Sequence, residues 1–396
     1  MERIIQVKKN HEKKFQEGYP LLFPEAVKST RPLQKEGDLF RLTTQKGEFV
    51  ARGYYGKQNK GIGWILSQKE EEAIDFAFFL RKLSAALARR QKFYFSEETN
   101  AFRVFNGEGD GIGGLTIDHY NGYYLFQWYS KGIYAFHDEI LRAFSQITVS
   151  KGIYQKRRFQ SGGQVIKEDS YVSGERCDHA FSVLESGLSL NAHLNDGAMT
   201  GFFFDQRQVR KQLMNRYAAG RRVLNTFSYT GAFSVFAAKG GAQSTVSVDL
   251  AKRSLEATKE NFRLNEIPLE QNEIVVEDIF HYLARAKEEN LRFDLIILDP
   301  PSYSRSKDFT FSAQKDYTAL VEQALPVLSK NGIILASTNC SLFDMKEFQE
   351  MVKKAFRKFN RRYQVLESFQ LPVDFPIHGS FPEGNYLKVF YIQHTS

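Results

Sequence analysis

The pattern of apolar and polar positions divides the chain into segments with different periodicities. In residues 1–70, short runs alternate apolar and polar side chains, as in Asp38–Leu42 and Glu48–Tyr55, with Lys46–Gly47 as a turn between them. Such alternation predicts half-buried β-strands. A small β-rich domain is therefore expected here.

Residues 71–178 combine helical and strand-like periodicity. Apolar residues recur at helical spacing over Lys69–Gln91, and the acids Glu70–Glu72 stand near the start, where the helix dipole favours negative charge. Ala101–Phe105 and Leu115–Asp118 are predicted as strands on either side of the turn-rich Asn106–Gly114. These features indicate a small α+β central domain.

Residues 179–396 show a third pattern, in which near-continuous apolar runs alternate with amphipathic helical stretches. Apolar strands separated by helices indicate a parallel sheet covered on both faces, so the predicted class is α/β with a Rossmann-like C-terminal domain. The strand-like runs are Arg222–Phe227, Ser244–Asp249, Ile274–Val276, Asp294–Asp299 and Gly332–Ser337.

Composition narrows the function classes. The 396 residues include 54 Lys and Arg against 46 Asp and Glu, and the net charge of +8 favours a polyanionic partner without identifying one. Two cysteines, Cys177 and Cys340, cannot build a disulfide framework or a four-cysteine zinc site, and no metal is expected. Without an apolar run long enough to span a bilayer and without a signal-peptide pattern, we expect a cytoplasmic protein.

Polar residues follow the predicted strands in a coordinated way. In doubly wound sheets, ligands bind at the carboxyl ends of the strands. The first strand leads into the turn 225–233, where Gly231 would let the backbone approach a ligand. Asp249 ends the second strand, where a carboxylate can accept ribose hydroxyls, and Asp278 follows the third, where it can accept the adenine amine. Asp249 could also cap the next helix while it binds a ribose, and an acid in the position of Asp278 is more often a helix cap.

The fourth strand ends in Asp299-Pro300-Pro301, whose two prolines impose a stiff, non-helical exit from the sheet. The turn at Gly231, the acids Asp249 and Asp278 and the Asp-Pro-Pro element, in this order, resemble the motif series of class I methyltransferases. A dehydrogenase, the obvious competitor on such a sheet, would not need the Asp-Pro-Pro element.

Two acceptors of the methyl group are consistent with these residues. An Asp-Pro-Pro-aromatic loop suits an exocyclic amine, although Ser302 intervenes before Tyr303. Cys340 follows the fifth strand beside the same pocket, and carbon 5 of cytosine accepts a methyl only after a thiolate has added to carbon 6. Asp299 would stabilise that adduct. The alternative for Cys340 is a buried spacer.

Several strings identify a closer resemblance that covers nearly the whole chain. The segments Gly18–Phe23, Asn106–Leu115, Thr200–Arg207 and Asp299–Tyr303, with Asn339-Cys340-Ser341, resemble the bacterial large-subunit ribosomal RNA cytosine-5 methyltransferase family. The resemblance implies a PUA-like RNA-binding domain at 1–70, a central domain at 71–178 and a class I methyltransferase domain at 179–396. It also implies formation of 5-methylcytosine in 23S ribosomal RNA, with Cys340 as nucleophile.

The resemblance further implies S-adenosylmethionine as cofactor and a homodimer as the assembly. The residues expected to border the cofactor are Phe202, Asp205, Gln206, Arg207, Asn225, Phe227, Tyr229, Gly231, Asp249, Asp278, Ile279, Asp299 and Pro300. Asn339 before the cysteine and Leu342–Met345 after it depart from the usual family tract. An amino-methyltransferase and a cofactor-binding RNA module without catalysis remain alternatives.

Two basic runs are candidates for holding RNA. Lys151–Arg158 and Arg357–Arg362 interleave aromatic residues with cations, a composition suited to phosphate contact and stacking. A solvated helix face or strand edge would show the same composition.

Overall fold

The computed structural model describes residues 2–159, 170–195, 199–305 and 310–395. Two compact units share the chain. The first comprises Met1–Ala180, His193–Thr200 and Val373–Gly384. The second comprises Phe181–Ala192, Gly201–Pro372 and Asn385–Ser396. The domain boundaries expected at 70/71 and 178/179 stay predictions.

The β-rich part of the first unit is a five-stranded sheet in the order β1-β3-β4-β5-β2. Its elements are β1 Arg3–Gln6, α1 Lys9–Gln16, β2 Leu21–Leu22, β3 Leu39–Thr43, β4 Phe49–Gln58 and β5 Gly61–Ser67. The expected turn between β3 and β4 has Gly47 at φ +87°, a left-handed conformation that suits glycine. Gly53 and Gly63 leave room for the Phe40 ring, because a Cβ at either would lie 2.8 Å from a ring carbon.

The rest of the first unit is a second five-stranded sheet, in the order β10-β9-β8-β7-β6, with helices packed against it. One hydrophobic core runs through both sheets and includes Phe40, Phe79 and Phe126. The elements are α2 Phe76–Arg89, α3 Gln91–Tyr94, β6 Ala101–Asn106, β7 Leu115–Tyr120, β8 Tyr123–Trp128, α4 Lys131–Tyr134, α5 His137–Ile147, β9 Gly152–Arg157 and β10 Tyr171–Gly174.

The predicted start of the long helix was wrong. The structure begins α2 at Phe76, where the Asp75 side chain accepts a hydrogen bond of 3.0 Å from the Phe78 amide. This cap satisfies an amide that has no partner within the helix, whereas the acids at 70–72 precede the helix and cap nothing. Glu72 instead forms an ion pair with Arg81.

The second unit is built on a seven-stranded sheet in the order β15-β14-β13-β16-β19-β21-β20. The first five strands in this order, β15, β14, β13, β16 and β19, run parallel. Strand β21 is antiparallel to both β19 and β20. The elements are β11 Phe181–Glu185, β12 Leu188–Ala192, α6 Arg207–Gln212, β13 Arg222–Thr226, α7 Ala232–Lys239, β14 Ser244–Asp249, α8 Arg253–Leu264, β15 Asn272–Val276, α9 Ile279–Glu288, β16 Phe293–Leu298, β17 Tyr303–Arg305, β18 Thr310–Ser312, α10 Ala313–Ala324, β19 Leu328–Thr338, α11 Met345–Lys358, β20 Arg362–Phe369 and β21 Lys388–Thr395.

Helices cover both faces of this sheet. Leu224, Ile296 and Ile334 belong to a core with α9, α10 and α11, whereas their neighbours Val223 and Leu295 belong to a core with α6 and α7. The central strands β13, β16 and β19 are therefore buried on both sides, which explains their largely apolar sequences and confirms the predicted α/β class. In the described part of the chain, no helix has the length and apolar character needed to cross a membrane.

Candidate cofactor and nucleophile site

The turn after β13 has an unusual backbone. Phe227 and Tyr229 hold left-handed φ values of +52° and +51°, and Gly231 follows at +74°. Such a conformation costs on the order of 1–3 kcal/mol for a non-glycine residue and is concentrated at ligand-binding sites. A Cβ at Gly231 would lie 2.4 Å from Thr258 Cγ2, so this position requires glycine for space as well as for φ.

Asp249, at the end of β14, holds this turn in place. Its carboxylate accepts hydrogen bonds of 2.8 Å from the amides of Tyr229 and Ala251. Burial raises the pKa of Asp249, and the two amide hydrogen bonds oppose that rise. Each carboxylate oxygen keeps a lone pair, so the group can still accept a hydroxyl from a ligand.

Three other predicted residues are engaged by local partners. Asp278 accepts a 2.9 Å hydrogen bond from the Phe280 amide and caps α9, while Ile279 is buried in the core below. Asn225 donates to Ser234 Oγ at 3.0 Å inside the fold. Their contacts with a cofactor stay predictions. The Glu277 amide bonds to the Asp249 carbonyl, so the ends of β14 and β15 lie together.

Asp299, directly after β16, is a partly buried acid of the site. Gln206 Nε2 donates to Asp299 Oδ1 at 3.1 Å and also to Ser337 Oγ, on the neighbouring strand β19, at 2.7 Å. Asp205 accepts a 2.9 Å hydrogen bond from the Tyr386 hydroxyl. The predicted residues 205, 206 and 299 are thus brought together, and the sequence had not indicated Ser337 or Tyr386.

The electrostatics of this cluster favour a cation. Burial raises the pKa of Asp299 to about 6 and the charge of Asp205 adds to the rise, whereas hydrogen bonds from Ser337 and Gln206 and the charge of Arg210 oppose it. A positively charged ligand between the two acids would offset the cost of ionising them.

Buried polar atoms near these loops also indicate a ligand. Gln206 Oε1, Ser228 Oγ and Thr258 Oγ1 are buried and have no hydrogen-bond partner within the described residues. Buried polar groups are normally satisfied, and each unpaired one calls for an explanation. The ammonium and hydroxyl groups of S-adenosylmethionine are hydrogen-bond donors of the kind these atoms lack, and its sulfonium matches the two acids.

A buried ion-pair cluster supports the segment that carries Asp205 and Gln206. Arg210, on α6, donates to both carboxylate oxygens of Glu185 at 2.7 and 2.9 Å and to the Phe203 carbonyl at 2.7 Å. Arg207 Nε lies 3.7 Å from the same carboxylate. Removing one partner of such a cluster costs roughly 3–5 kcal/mol because a buried charge is left behind. Arg207 therefore belongs to this buried ion-pair cluster. Its contact with a cofactor stays a prediction.

Two more of the predicted residues, Phe202 and Pro300, are buried in the loops of this unit. Phe202 is buried edge-on against Phe204, with 5.2 Å between the ring centroids. Pro300 is buried after β16, while Tyr303 is 65% exposed. Ser302 donates a 2.5 Å hydrogen bond to Asn339 Oδ1, so the Asp-Pro-Pro loop is tied to the loop that carries Cys340.

Cys340 lies just past the end of β19 and is 5% exposed. Its amide donates to Thr338 Oγ1 at 3.2 Å, and its carbonyl accepts a 2.8 Å hydrogen bond from Lys388 Nζ. Lys388 is itself buried on β21 and also donates to the Tyr386 carbonyl at 2.9 Å. Burial lowers the pKa of this lysine, and the charges of Cys340 and Asp344 oppose the fall.

Lys388 was not identified from the sequence, although the sequence contains a signal for a buried lysine at this position. It is the single charged residue in the apolar run Leu387–Ile392, where a lysine is expected only with buried hydrogen-bond partners. The second cysteine, Cys177, belongs to the first unit, where its Sγ lies 3.8 Å from His179 Nε2. No group of three or more metal-binding side chains occurs in the ranges that the structure describes.

The doubly wound sheet and the cation-favouring strand ends are those expected of a cofactor-dependent methyltransferase. Residues 103–376 match the S-adenosylmethionine-dependent methyltransferase family model, and residues 5–68 match the PUA-like domain model. The chain therefore belongs to the S-adenosylmethionine-dependent methyltransferases and carries a PUA-like domain. S-Adenosylmethionine is its cofactor, as predicted.

The chain is also similar over nearly its full length to individual proteins of that family. A protein of Bacillus subtilis (strain 168), with the provisional name ribosomal RNA large subunit methyltransferase YwbD, is 50% identical over 393 residues, which cover 99% of each chain. Ribosomal RNA large subunit methyltransferase I of Yersinia pseudotuberculosis is 31% identical over 388 residues, covering 96% of this chain and 97% of the other.

A solved structure is similar over the same length. The SMU.776 protein, provisionally described as a methyltransferase, was crystallised with SAH, the product that S-adenosylmethionine leaves after methyl transfer. It is 39% identical, with a TM-score of 0.90 over 99% of this chain and 100% of that one.

Proposed function

We propose that this methyltransferase acts on large-subunit ribosomal RNA and methylates carbon 5 of a cytosine through the thiol of Cys340. Ribosomal RNA as substrate is supported by the names of the two relatives, by the PUA-like domain and by the net charge of +8. The observation that carries the choice of carbon 5 is that Cys340 and Asp299 follow the ends of two adjacent strands. Their strands, β19 and β16, are hydrogen-bonded neighbours, with Leu298 paired to Ala336.

The chemistry assigns a role to each of these side chains. The Cys340 thiolate adds to carbon 6 of the ring, which moves electron density to carbon 5 and makes it nucleophilic. The bound cofactor supplies the electrophilic methyl group. Asp299 contacts the ring amine or nitrogen and stabilises the adduct. Loss of the carbon 5 proton to a base then expels the thiolate, which leaves Cys340 as it began.

The target base has to leave any helix in which it is paired, because a base inside a duplex cannot reach a buried site. Only some of the cations in the two basic runs, Lys151–Arg158 and Arg357–Arg362, are available to contact RNA phosphates. Lys156 is buried within β9, and Lys358 forms a 2.5 Å ion pair with Glu322. Arg357 and Arg362 remain exposed candidates for phosphate contact.

One specific observation favours a second function, amino methylation. Asp299-Pro300-Pro301 is followed by the exposed ring of Tyr303, which is available to stack on a base whose amine Asp299 would hold. In that reaction Cys340 has no chemical part.

Single-turnover methylation of unmodified large-subunit ribosomal RNA with labelled cofactor distinguishes these functions. We expect wild type and the control Cys177→Ala to yield 5-methylcytosine, and Cys340→Ala to yield none, as measured by mass spectrometry of the digested nucleosides. Label on an amine with full activity of Cys340→Ala would establish the amino-methyltransferase instead. RNA and cofactor binding without any methylated product would identify a non-catalytic RNA module.

Two further predictions accompany this function. A role in ribosomal RNA modification places the protein in the cytoplasm, and the family resemblance predicts a homodimer. Sedimentation analysis of the purified protein tests the second point.

A further inference from the structure

A cavity of about 480 Å³ lies within the first unit, in a different part of the chain from the residues discussed above. One wall is the end of β5 and the residues after it, up to Lys69, and the opposite wall is one face of α2. Arg81, Ala85 and Arg89 are spaced four residues apart and Lys82 stands three residues before Ala85, so all four line that face. The small alanine in their midst leaves the space open.

Lys82 is the most informative side chain of this cavity. It is half-buried, and no carboxylate of the described residues lies within ion-pair distance of its ammonium group, whose ring contact is with Phe78 at 5.3 Å. A Cβ at Gly111 would lie 2.6 Å from Lys82 Nζ, so a glycine keeps this end of the cavity open. Burial lowers the pKa of Lys82, a cost that a bound anion would offset.

The other charges of the cavity leave an excess of positive charge. Arg81 forms an ion pair with Glu72, and Arg89 forms one with Asp110. Asp110 is already bound through both oxygens by the buried Arg90. Burial raises the pKa of the remaining acid, Glu108, to about 7, so this carboxyl is partly neutral at physiological pH.

We propose that this cavity binds a phosphate group of the RNA substrate, with Lys82 as its central contact. The cavity is large enough for a phosphate with part of its nucleotide, and its charges and open ammonium suit a phosphate oxygen. The proposal rests on the proposed RNA substrate but not on the chemistry at Cys340, so it stands whichever base is methylated.

The experiment measures binding of transcribed large-subunit ribosomal RNA by filter retention, between 50 and 300 mM salt, for three variants. Lys82→Met removes the charge and keeps the stem, and Lys82→Arg keeps the charge. Lys92→Met is the matched control, because Lys92 lies over the ring of Phe93 at a similar distance, 5.4 Å, but does not line the cavity.

We expect Lys82→Met to weaken RNA binding roughly fivefold at low salt and to reduce the slope of log affinity against log salt by about 0.7–0.9, the loss of one phosphate contact. Lys82→Arg and Lys92→Met should bind like wild type, and cofactor affinity should stay unchanged in all three. An unchanged slope for Lys82→Met, or an equal loss in Lys92→Met, overturns the proposal.

A test with inorganic phosphate distinguishes a site for free phosphate from a site for a phosphate group of the RNA. If phosphate raises the melting temperature of wild type but not of Lys82→Met, while both bind RNA equally, the cavity takes free phosphate and the RNA contact is refuted. Failure of RNA binding in wild type itself would refute the proposed substrate rather than this site.

Discussion

Replacing Asp299 by Asn is predicted to stabilise the cofactor-free protein while abolishing its activity. Asp299 has a pKa of about 6 in the folded protein against an ordinary 3.8. Because the folded state binds this proton more tightly, ionisation destabilises it, and stability is lost as the pH rises from about 4 through 6. At roughly 1.4 kcal/mol for each tenfold difference in proton affinity, the full penalty above pH 7 is about 3 kcal/mol.

The asparagine variant stays neutral at every pH and escapes this penalty. Its side-chain oxygen can still accept the hydrogen bond from Gln206 that the carboxylate accepts now. The free energy of unfolding should therefore exceed that of wild type by up to about 3 kcal/mol at pH 7.5, and by roughly half as much at pH 5. Methyl transfer should be lost, since the amide neither attracts the cationic cofactor nor stabilises the adduct.

Urea unfolding without cofactor, followed by far-ultraviolet circular dichroism, tests this expectation. Tryptophan fluorescence is unsuitable, because Trp64 and Trp128 both belong to the first unit. Asp294→Asn, near the start of β16, is the control, because its free energy of unfolding should change in the opposite direction. Burial there tends to raise the pKa, but hydrogen bonds from Arg222 and Ser329 hold it below its usual value, so the amide should destabilise. Equal stability of Asp299→Asn and wild type at pH 7.5, or a difference that does not vary with pH, would refute the reasoning.

Two more predictions follow from the same contacts. Cofactor affinity should weaken below pH 6, approaching tenfold for each pH unit, because protonation of Asp299 removes the charge that attracts the cation; a flat calorimetric titration between pH 5 and 7.5 would contradict this. Lys388→Met should cost roughly 2–5 kcal/mol in urea unfolding, because the carbonyls of Cys340 and Tyr386 both lose their donor, whereas Lys388→Arg should recover part of that loss.

The fold of the second unit could be predicted because its central strands are buried on both faces. The predicted strand 244–249 has the same bounds in the structure, and Arg222–Phe227 overshoots by one residue. The start of α2 could not be placed from charge alone. Acids at 70–72 suit the positive end of any helix, whereas the actual start depends on one side chain, Asp75, reaching one amide.

The sequence could predict which polar residues lie together where those residues end or directly follow a strand. Asp249 ends β14 and Asp299 directly follows β16, the two strands that flank β13, and the carboxyl ends of parallel strands meet at one edge of the sheet. Tyr386 and Lys388 could not be found this way. Lys388 begins β21 and Tyr386 lies two residues before it; β21 pairs antiparallel with β19, and no local pattern encodes that pairing.

The contacts from β21 explain why a buried lysine begins its apolar stretch, 388–392. Lys388 pairs in register with Thr338, the last residue of β19, so its ammonium group reaches the carbonyls of Cys340 and Tyr386 together. The Tyr386 hydroxyl in turn donates to Asp205, and Gln206, the next residue, holds Asp299. Lys388 therefore joins the loop of the proposed nucleophile to the acids that favour the cationic cofactor. We expect its substitution to affect both sides of the site, although it contributes no atom to the proposed reaction.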